Sequence, residues 1–303
     1  MNGDTDRLIE LITANPTLLY HHHKSHGQTL LHIASQYNHI ELVSQLIQKG
    51  LDVSSKDKSD STPLHYAARA GHIDMCRHLV ETHNASVFAE SGAHFRTIGG
   101  SSLWTTPLHV SVERENNYAV VDYLFTASYP FPPDKYQNRF YVDVIAHAVV
   151  FNNVNMVRYL MSRGCSVKDT LVPGCLSPLS QACYYGLVEL VRLLLDAGAD
   201  PNIGIYNLNP DFWPLPLEYK SLGYTNLGQV LMTRHVILCE LTLMVYDIRY
   251  AAYGGSLEIC RLLIEYGAEV NLRCAAVYGN DAASYTPLGM AACVNSLCTL
   301  SFF

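Results

Sequence analysis

The side chains able to do chemistry in this chain are histidines and cysteines, and the spacing of both argues against a reactive centre. His21, His22 and His23 with His26 form the only metal-like cluster. Adjacent histidines in a loop lack the i, i+4 helical spacing, the carboxylate and the remote third ligand that a catalytic zinc site requires. A solvated loop is expected there, and no metal or other cofactor is assigned. Three further histidines, His32, His65 and His109, recur at one position of a repeated pattern, and successive copies lie too far apart to share a metal. The nine cysteines are odd in number and include no Cys-x-x-Cys pair. Most fall at positions that read as helical core, so they behave as small buried hydrophobes of a reducing compartment. Phosphate-loop, nucleophile-elbow, His-Glu-x-x-His and dinucleotide glycine motifs are all missing from the sequence. Enzymatic activity and a small-molecule substrate are therefore not expected.

The elements around these residues belong to a folded chain. Its 303 residues are 49% hydrophobic and 16% charged, which supplies a core that a disordered sequence would lack. A formal charge of -7 leaves no basic footprint for a phosphate backbone, so nucleic acid is a poor candidate partner. Membrane insertion is also not expected: the most apolar stretch, Leu227 to Tyr246, contains Gln229, Arg234, His235 and Glu240. Asn2, Gly3, Asp4 and Asp6 do not begin a secretory signal. The triplet Asn84-Ala85-Ser86 is a glycosylation-type pattern, but such triplets arise often by chance. A cytoplasmic location is expected.

A repeat organises the whole chain. Thr29-Leu30-Leu31-His32, Thr62-Pro63-Leu64-His65 and Thr106-Pro107-Leu108-His109 are three copies of one pattern. With the Thr as anchor, the frame continues through Asp143, Ser177, Trp213, Tyr246 and Thr286, at intervals of 33, 44, 37, 34, 36, 33 and 40 residues. A fixed minimum with occasional additions fits a packed unit whose loops tolerate insertion. Five residues after the anchor stands a small residue, Ala34, Ala67, Ser111, Ala148, Ala182, Ala251 or Ala291, with Glu218 as the exception. Further on come apolar trios at i, i+3, i+4, such as Val43, Leu46, Ile47 and Val191, Leu194, Leu195, which define one face of a second helix. In the third copy the trio Val121, Leu124, Phe125 is displaced by one residue.

The punctuation predicts two helices per unit. Thr62 and Thr106 can cap a first helix whose first turn holds Pro63 or Pro107. Gly71 and Gly186 break the pair, and Gly50, Gly164, Gly198 and Gly267 end the second helix. With these features the chain resembles the ankyrin-repeat family over essentially its full length.

The resemblance implies an all-α fold, a solenoid of stacked helix-turn-helix units with projecting β-turn fingers. The expected organisation is a partial repeat and loop at 1–26, then repeats near 27–59, 60–103, 104–140, 141–174, 175–210, a degenerate 211–243, 244–283 and a truncated 284–303. In the degenerate unit Pro216 replaces the histidine and Glu218 would put a carboxylate into the packed seam. Both end units look incomplete and Leu297 to Phe303 carries no charge, so a piece of a longer protein is expected.

Ankyrin stacks are binding scaffolds, and the resemblance places partner contacts on finger tips and on the residues that follow the small position of each first helix. By register these are Gln36 and Tyr37, Arg69, Glu113 and Arg114, Phe151, Tyr184 and Tyr185, and Tyr253. A stripe of Tyr, Phe and Arg suits a protein partner, because such side chains offer contact area at little rotamer cost. The competing reading is that these groups pad neighbouring units. Two long fingers, one carrying Phe88, Phe95 and Trp104 and the other Tyr129 to Pro133 around Phe131, either anchor a partner or fold back on the stack. The expected role is a non-catalytic scaffold or adaptor. The alternative is a regulatory or substrate-recognition portion of a larger ubiquitin ligase, enzyme or channel.

Overall fold

A computed structural model describes residues 3–92, 105–128, 137–165, 167, 177–201, 256–268, 274–278 and 281–285. The chain divides into two compact units, Met1–Phe95 with Ser102–Pro133, and Arg96–Ser101 with Asp134–Phe303.

The first unit opens with α1 (Gly3–Ala14), the lone second helix of a partial repeat, followed by a 3-10 turn at Pro16–Tyr20. Three helix pairs follow. These are α2 (Leu30–Gln36) with α3 (Ile40–Gln48), α4 (Pro63–Ala70) with α5 (Ile73–Arg77), and α6 (Pro107–Ser111) with α7 (Tyr118–Ala127). A π-helical turn, His78–Thr82, prolongs α5. Helix α4 packs between α2 and α6, and α5 packs on α7. Each pair is broken by a left-handed residue, Asn38, Gly71 or Asn116, at φ of 61°, 84° and 61°. Asparagine is the side chain that tolerates this region best after glycine, so it substitutes where the sequence pattern had shown only Gly71. Asn84, the first residue of the glycosylation-type triplet, plays the same part at the end of the second pair, with φ 56°.

The buried face of the second helices is turned slightly from the expected one. The deeply buried trios are Leu42, Val43, Leu46; Met75, Cys76, Leu79; Val120, Val121, Leu124; Met156, Val157, Leu160; and Ile259, Cys260, Leu263. Ile47, Val80, Phe125, Met161 and Ile264 are only half-buried. In these five helices the i+4 residue lies at the edge of the stripe, whereas the expected trio Val191, Leu194 and Leu195 is itself buried, because a core-facing helix buries a stripe broader than a single i, i+3, i+4 row.

The second unit holds α8 (Gln137–Val150) with α9 (Val154–Ser162), α10 (Pro178–Tyr184) with α11 (Val188–Asp196), and α12 (Leu257–Glu265). Helix α10 packs on α8, and α11 packs on α12. Helix α8 begins six residues before the anchor Asp143, since Gln137 to Val142 contains no proline or glycine to stop it. Side-chain caps start α9, α10 and α12, where Asn153 accepts from Met156 N–H at 3.2 Å, Ser177 from Ser180 N–H at 2.9 Å and Ser256 from Ile259 N–H at 3.4 Å, whereas Leu187 gives α11 none. Among the described residues one pair of strands is not helical. Strands β1 (Cys274–Tyr278) and β2 (Asp281–Tyr285) pair antiparallel, with Cys274 opposite Tyr285. They lie in a finger region, so the solenoid remains all-α in its stacked layers. The expected unit at 211–243, with Pro216 and Glu218, and that at 284–303 beyond Tyr285 lie outside the described residues.

Candidate protein-interaction surface

The three Thr–His pairs show how the first helices are held. The backbone N–H of Thr29, Thr62 and Thr106 donates to Nδ1 of His32, His65 and His109 at 3.1, 3.1 and 3.2 Å. Each Thr hydroxyl lies 2.8 to 2.9 Å from the same nitrogen. This is a capping box in which histidine stands where Glu or Gln is usual. The opposite nitrogens reach the next layer: His32 Nε2–H donates to Ser61 O at 2.9 Å and His65 Nε2–H to Thr105 O at 3.1 Å. An amide can only donate and a carbonyl can only accept, so these rings are neutral with the proton on Nε2. Burial pushes the His65 pKa down to about 4, opposed by the bond to Thr105, and lowers that of His32 for the same reason.

Residues at the groove edge of the first unit are occupied by one another. Arg69 grips Glu113 through two bonds, Nε to Oε2 at 2.8 Å and Nη2 to Oε1 at 3.3 Å. Arg114 Nη1 donates to Ala70 O at 2.6 Å, and His72 Nε2–H donates to Gln36 O at 2.9 Å. Of the expected contact residues here, Arg69, Glu113 and Arg114 therefore tie consecutive layers together. Tyr37 is different, with 64% of its surface exposed. A network that the sequence did not announce lies in the same unit. Gln28 Nε2 donates to Tyr66 Oη at 2.9 Å, and Tyr66 donates to Asp57 Oδ2 at 2.6 Å, while the other Asp57 oxygen accepts Ser59 and Ser61 N–H. Burial first, and Asp57 second, raise the Tyr66 pKa to about 12. Tyr66 also stands edge-on to the ring of His32.

In the second unit the equivalent positions carry rings. Phe151 and Tyr185, which follow α8 and α10, are 43% and 41% exposed, although both are large and aromatic. Phe151 leans on His147 with ring centres 5.2 Å apart. Tyr184 closes α10. Tyr253, Trp104 and Phe131 lie outside the described residues. Of the longer finger, the neck is visible: Ser91 and Thr105 form an antiparallel bridge, with both backbone bonds at 2.9 to 3.0 Å. Phe88, just before it, is exposed.

The histidine loop is a folded turn. His23 and His26 stack with centres 5.6 Å apart, and Lys58 Nζ donates to Lys24 O and Ser25 O at 2.8 and 3.1 Å. Among the described residues no group of three or more His, Cys, Asp or Glu could hold a metal. Cys76, Cys165, Cys183 and Cys260 are buried and form no disulfide, and burial lifts the thiols of Cys76 and Cys260 to about 12. They pack as apolar groups and are poor nucleophiles. Among the described residues no helix is long and apolar enough to cross a membrane.

Residues 1–91 and 108–204 match the family model for ankyrin repeats in three copies, and 248–275 match a single ankyrin repeat. The chain belongs to the ankyrin-repeat family. It is 22% identical to an ankyrin repeat protein of Acanthamoeba polyphaga mimivirus over 81% of this chain and 26% of that protein. Over 59 residues it is 44% identical to mouse protein phosphatase 1 regulatory subunit 12A, covering 20% of this chain and 6% of that one. The chain thus spans about a quarter or less of these relatives. Among solved structures, the ankyrin repeat domain of human ASB11 superposes with a TM-score of 0.57 at 20% identity, covering 91% of this chain and 97% of that one. That of Bcl-3 gives 0.53 at 23% identity, covering 90% and 99%. These likenesses are of fold. Ankyrin repeats are generally protein–protein interaction modules.

Proposed function

We propose that this protein is a non-catalytic scaffold or adaptor that binds a protein partner across the groove edge of its repeats, inside the cell. The observation that carries this reading is the exposure of Phe151 and Tyr185, 43% and 41%, on the consecutive layers formed by α8 and α10. Large rings held in water on a rigid helix end gain free energy when a partner covers them, and the scaffold has already lost the entropy of placing them. Tyr37 offers a further ring at the same register in the first unit, and Tyr184, Tyr253, Trp104 and Phe131 extend the proposed set. Buried cysteines that form no disulfide support a reducing compartment.

The test compares proteins captured from cell lysate by the native chain and by a chain carrying Tyr37→Ala, Phe151→Ala, Tyr184→Ala and Tyr253→Ala, with circular dichroism as a check on helicity. Selective loss of a few partners at equal helicity supports the groove. An unchanged set of captured proteins overturns it. A second reading, a regulatory part of a larger enzyme, draws on the local likeness to a phosphatase regulatory subunit. It predicts that capture brings down a catalytic chain in a fixed ratio.

A further inference from the structure

We propose that His78 and His83 form a two-histidine site for a divalent transition metal of the zinc, copper or nickel kind, at the end of the second helix of the second pair. In sequence the two residues are five apart, which is no ligand spacing, because on an α-helix such residues point about 140° away from each other. The chain is not α-helical between them. The π-helical turn His78–Thr82 follows α5, and its wider i→i+5 winding brings His83, which ends the turn, back over His78. Turns of this kind are rare and recur at functional sites. The two Nε2 atoms meet at 3.2 Å, with the rings nearly perpendicular and their centres 4.8 Å apart. Two nitrogens bound at about 2.0–2.1 Å to a tetrahedral zinc ion lie about 3.3 Å from each other, so the pair already has the separation that chelation requires.

Hydrogen bonding shows what the ion replaces. Ser44 on α3 donates its hydroxyl proton to Ile40 O at 3.2 Å and lies 2.7 Å from His78 Nε2, so at that nitrogen it accepts from the ring. The same His78 proton faces His83 Nε2 and thus serves two acceptors. A divalent ion in its place takes a lone pair from each ring at once, with the ring protons moved to Nδ1. Burial, and after it the neighbouring His78, hold the His83 pKa below the ordinary histidine value, which keeps that imidazole neutral at neutral pH. Both rings are half-buried, so solvent reaches them. Among the described residues no third His, Cys, Asp or Glu joins the pair. Two imidazoles suit zinc, copper or nickel, whereas calcium and magnesium need oxygen ligands, and water completes the coordination.

The test is equilibrium dialysis of the full chain against Zn2+, with bound metal counted by elemental analysis and circular dichroism as a check on the fold. His83→Ala is expected to lose a single ion per chain relative to the native protein, or to hold that ion about tenfold or more weakly. A variant with His21, His22, His23 and His26 all replaced by alanine is expected to keep the ion, which separates the pair from the histidine loop. His83→Gln retains a polar group beside His78 but removes the imidazole, and it decides the question if the alanine variant loses helicity. The proposal is overturned if the native chain binds no zinc, if both His83 variants bind it with native stoichiometry and affinity, or if all of it is lost with the loop histidines.

Discussion

The groove edges of the two units differ at equivalent positions, and the difference separates two uses of one scaffold. In the first unit Arg69, Glu113 and Arg114, beyond the small position, hydrogen-bond across layers at 2.6 to 3.3 Å, while the ring of Tyr37 is exposed. In the second unit the equivalent residues are Phe151 and Tyr185, which are 43% and 41% exposed. Position in the repeat therefore does not assign a role. The side chain decides: a guanidinium within reach of a carboxylate or carbonyl satisfies its donors inside the protein, whereas an aromatic ring at a helix end keeps apolar area exposed.

The sharpest way to break the comparison is to ask whether the shared core beneath both edges is equally demanding. Leu64→Ala and Leu160→Ala, each at a site at most 1% exposed, are expected to cost about 2–5 kcal/mol in chemical denaturation. A much smaller loss in the second unit would mean that its repeats are looser. Acid comes next. His65 is held neutral with its pKa near 4, against 6.5 for an ordinary histidine, so the unfolded chain binds the extra proton first. Stability is full above about pH 6.5 and falls as pH drops toward 4, by up to roughly 3 kcal/mol from this residue. His65→Gln, followed by urea unfolding at several pH values, is expected to flatten that slope. The fall should be confined to the Thr–His layers, because α8 and α10 carry Ala146 and Ser180 at the matching position.

Partner binding tests the other side of the contrast. Phe151→Ala and Tyr185→Ala are each expected to weaken a captured partner about tenfold or more in titration calorimetry, while changing stability by less than about 0.5 kcal/mol. Arg69→Ala should do the reverse: a loss of up to about 1 kcal/mol in stability, tempered because its guanidinium is partly exposed, with partner affinity unchanged. Should Arg69→Ala weaken binding and Phe151→Ala leave it intact, the roles of the two edges are exchanged.

Much of the fold was legible before any coordinates. The Thr-Pro-Leu-His copies marked the starts of α4 and α6, and Gly50, Gly164, Gly198 and Gly267 marked second-helix ends with φ of 102°, 91°, 85° and 90°. The candidate surface was legible only in part. Register pointed to Arg69, Glu113 and Phe151 alike, since spacing reports the backbone position and is blind to what lies within 3 Å of a side chain. Tyr66 escaped notice because its partners, Gln28 and Asp57, come from two different fingers. The β1–β2 pair carried a faint signal, the Gly279-Asn280 turn-type dipeptide between two short apolar runs.

The sequence by itself determined the repeat, most helix boundaries and the family, because these depend on local propensities and on apolar spacing that the units restate. Tertiary structure decided which groove-edge residues are bound up as ties, which tautomer the capping histidines adopt, and that α11 lies against α12. Each of these is a contact between layers, set by distance across the stack, and no periodicity along the chain encodes it.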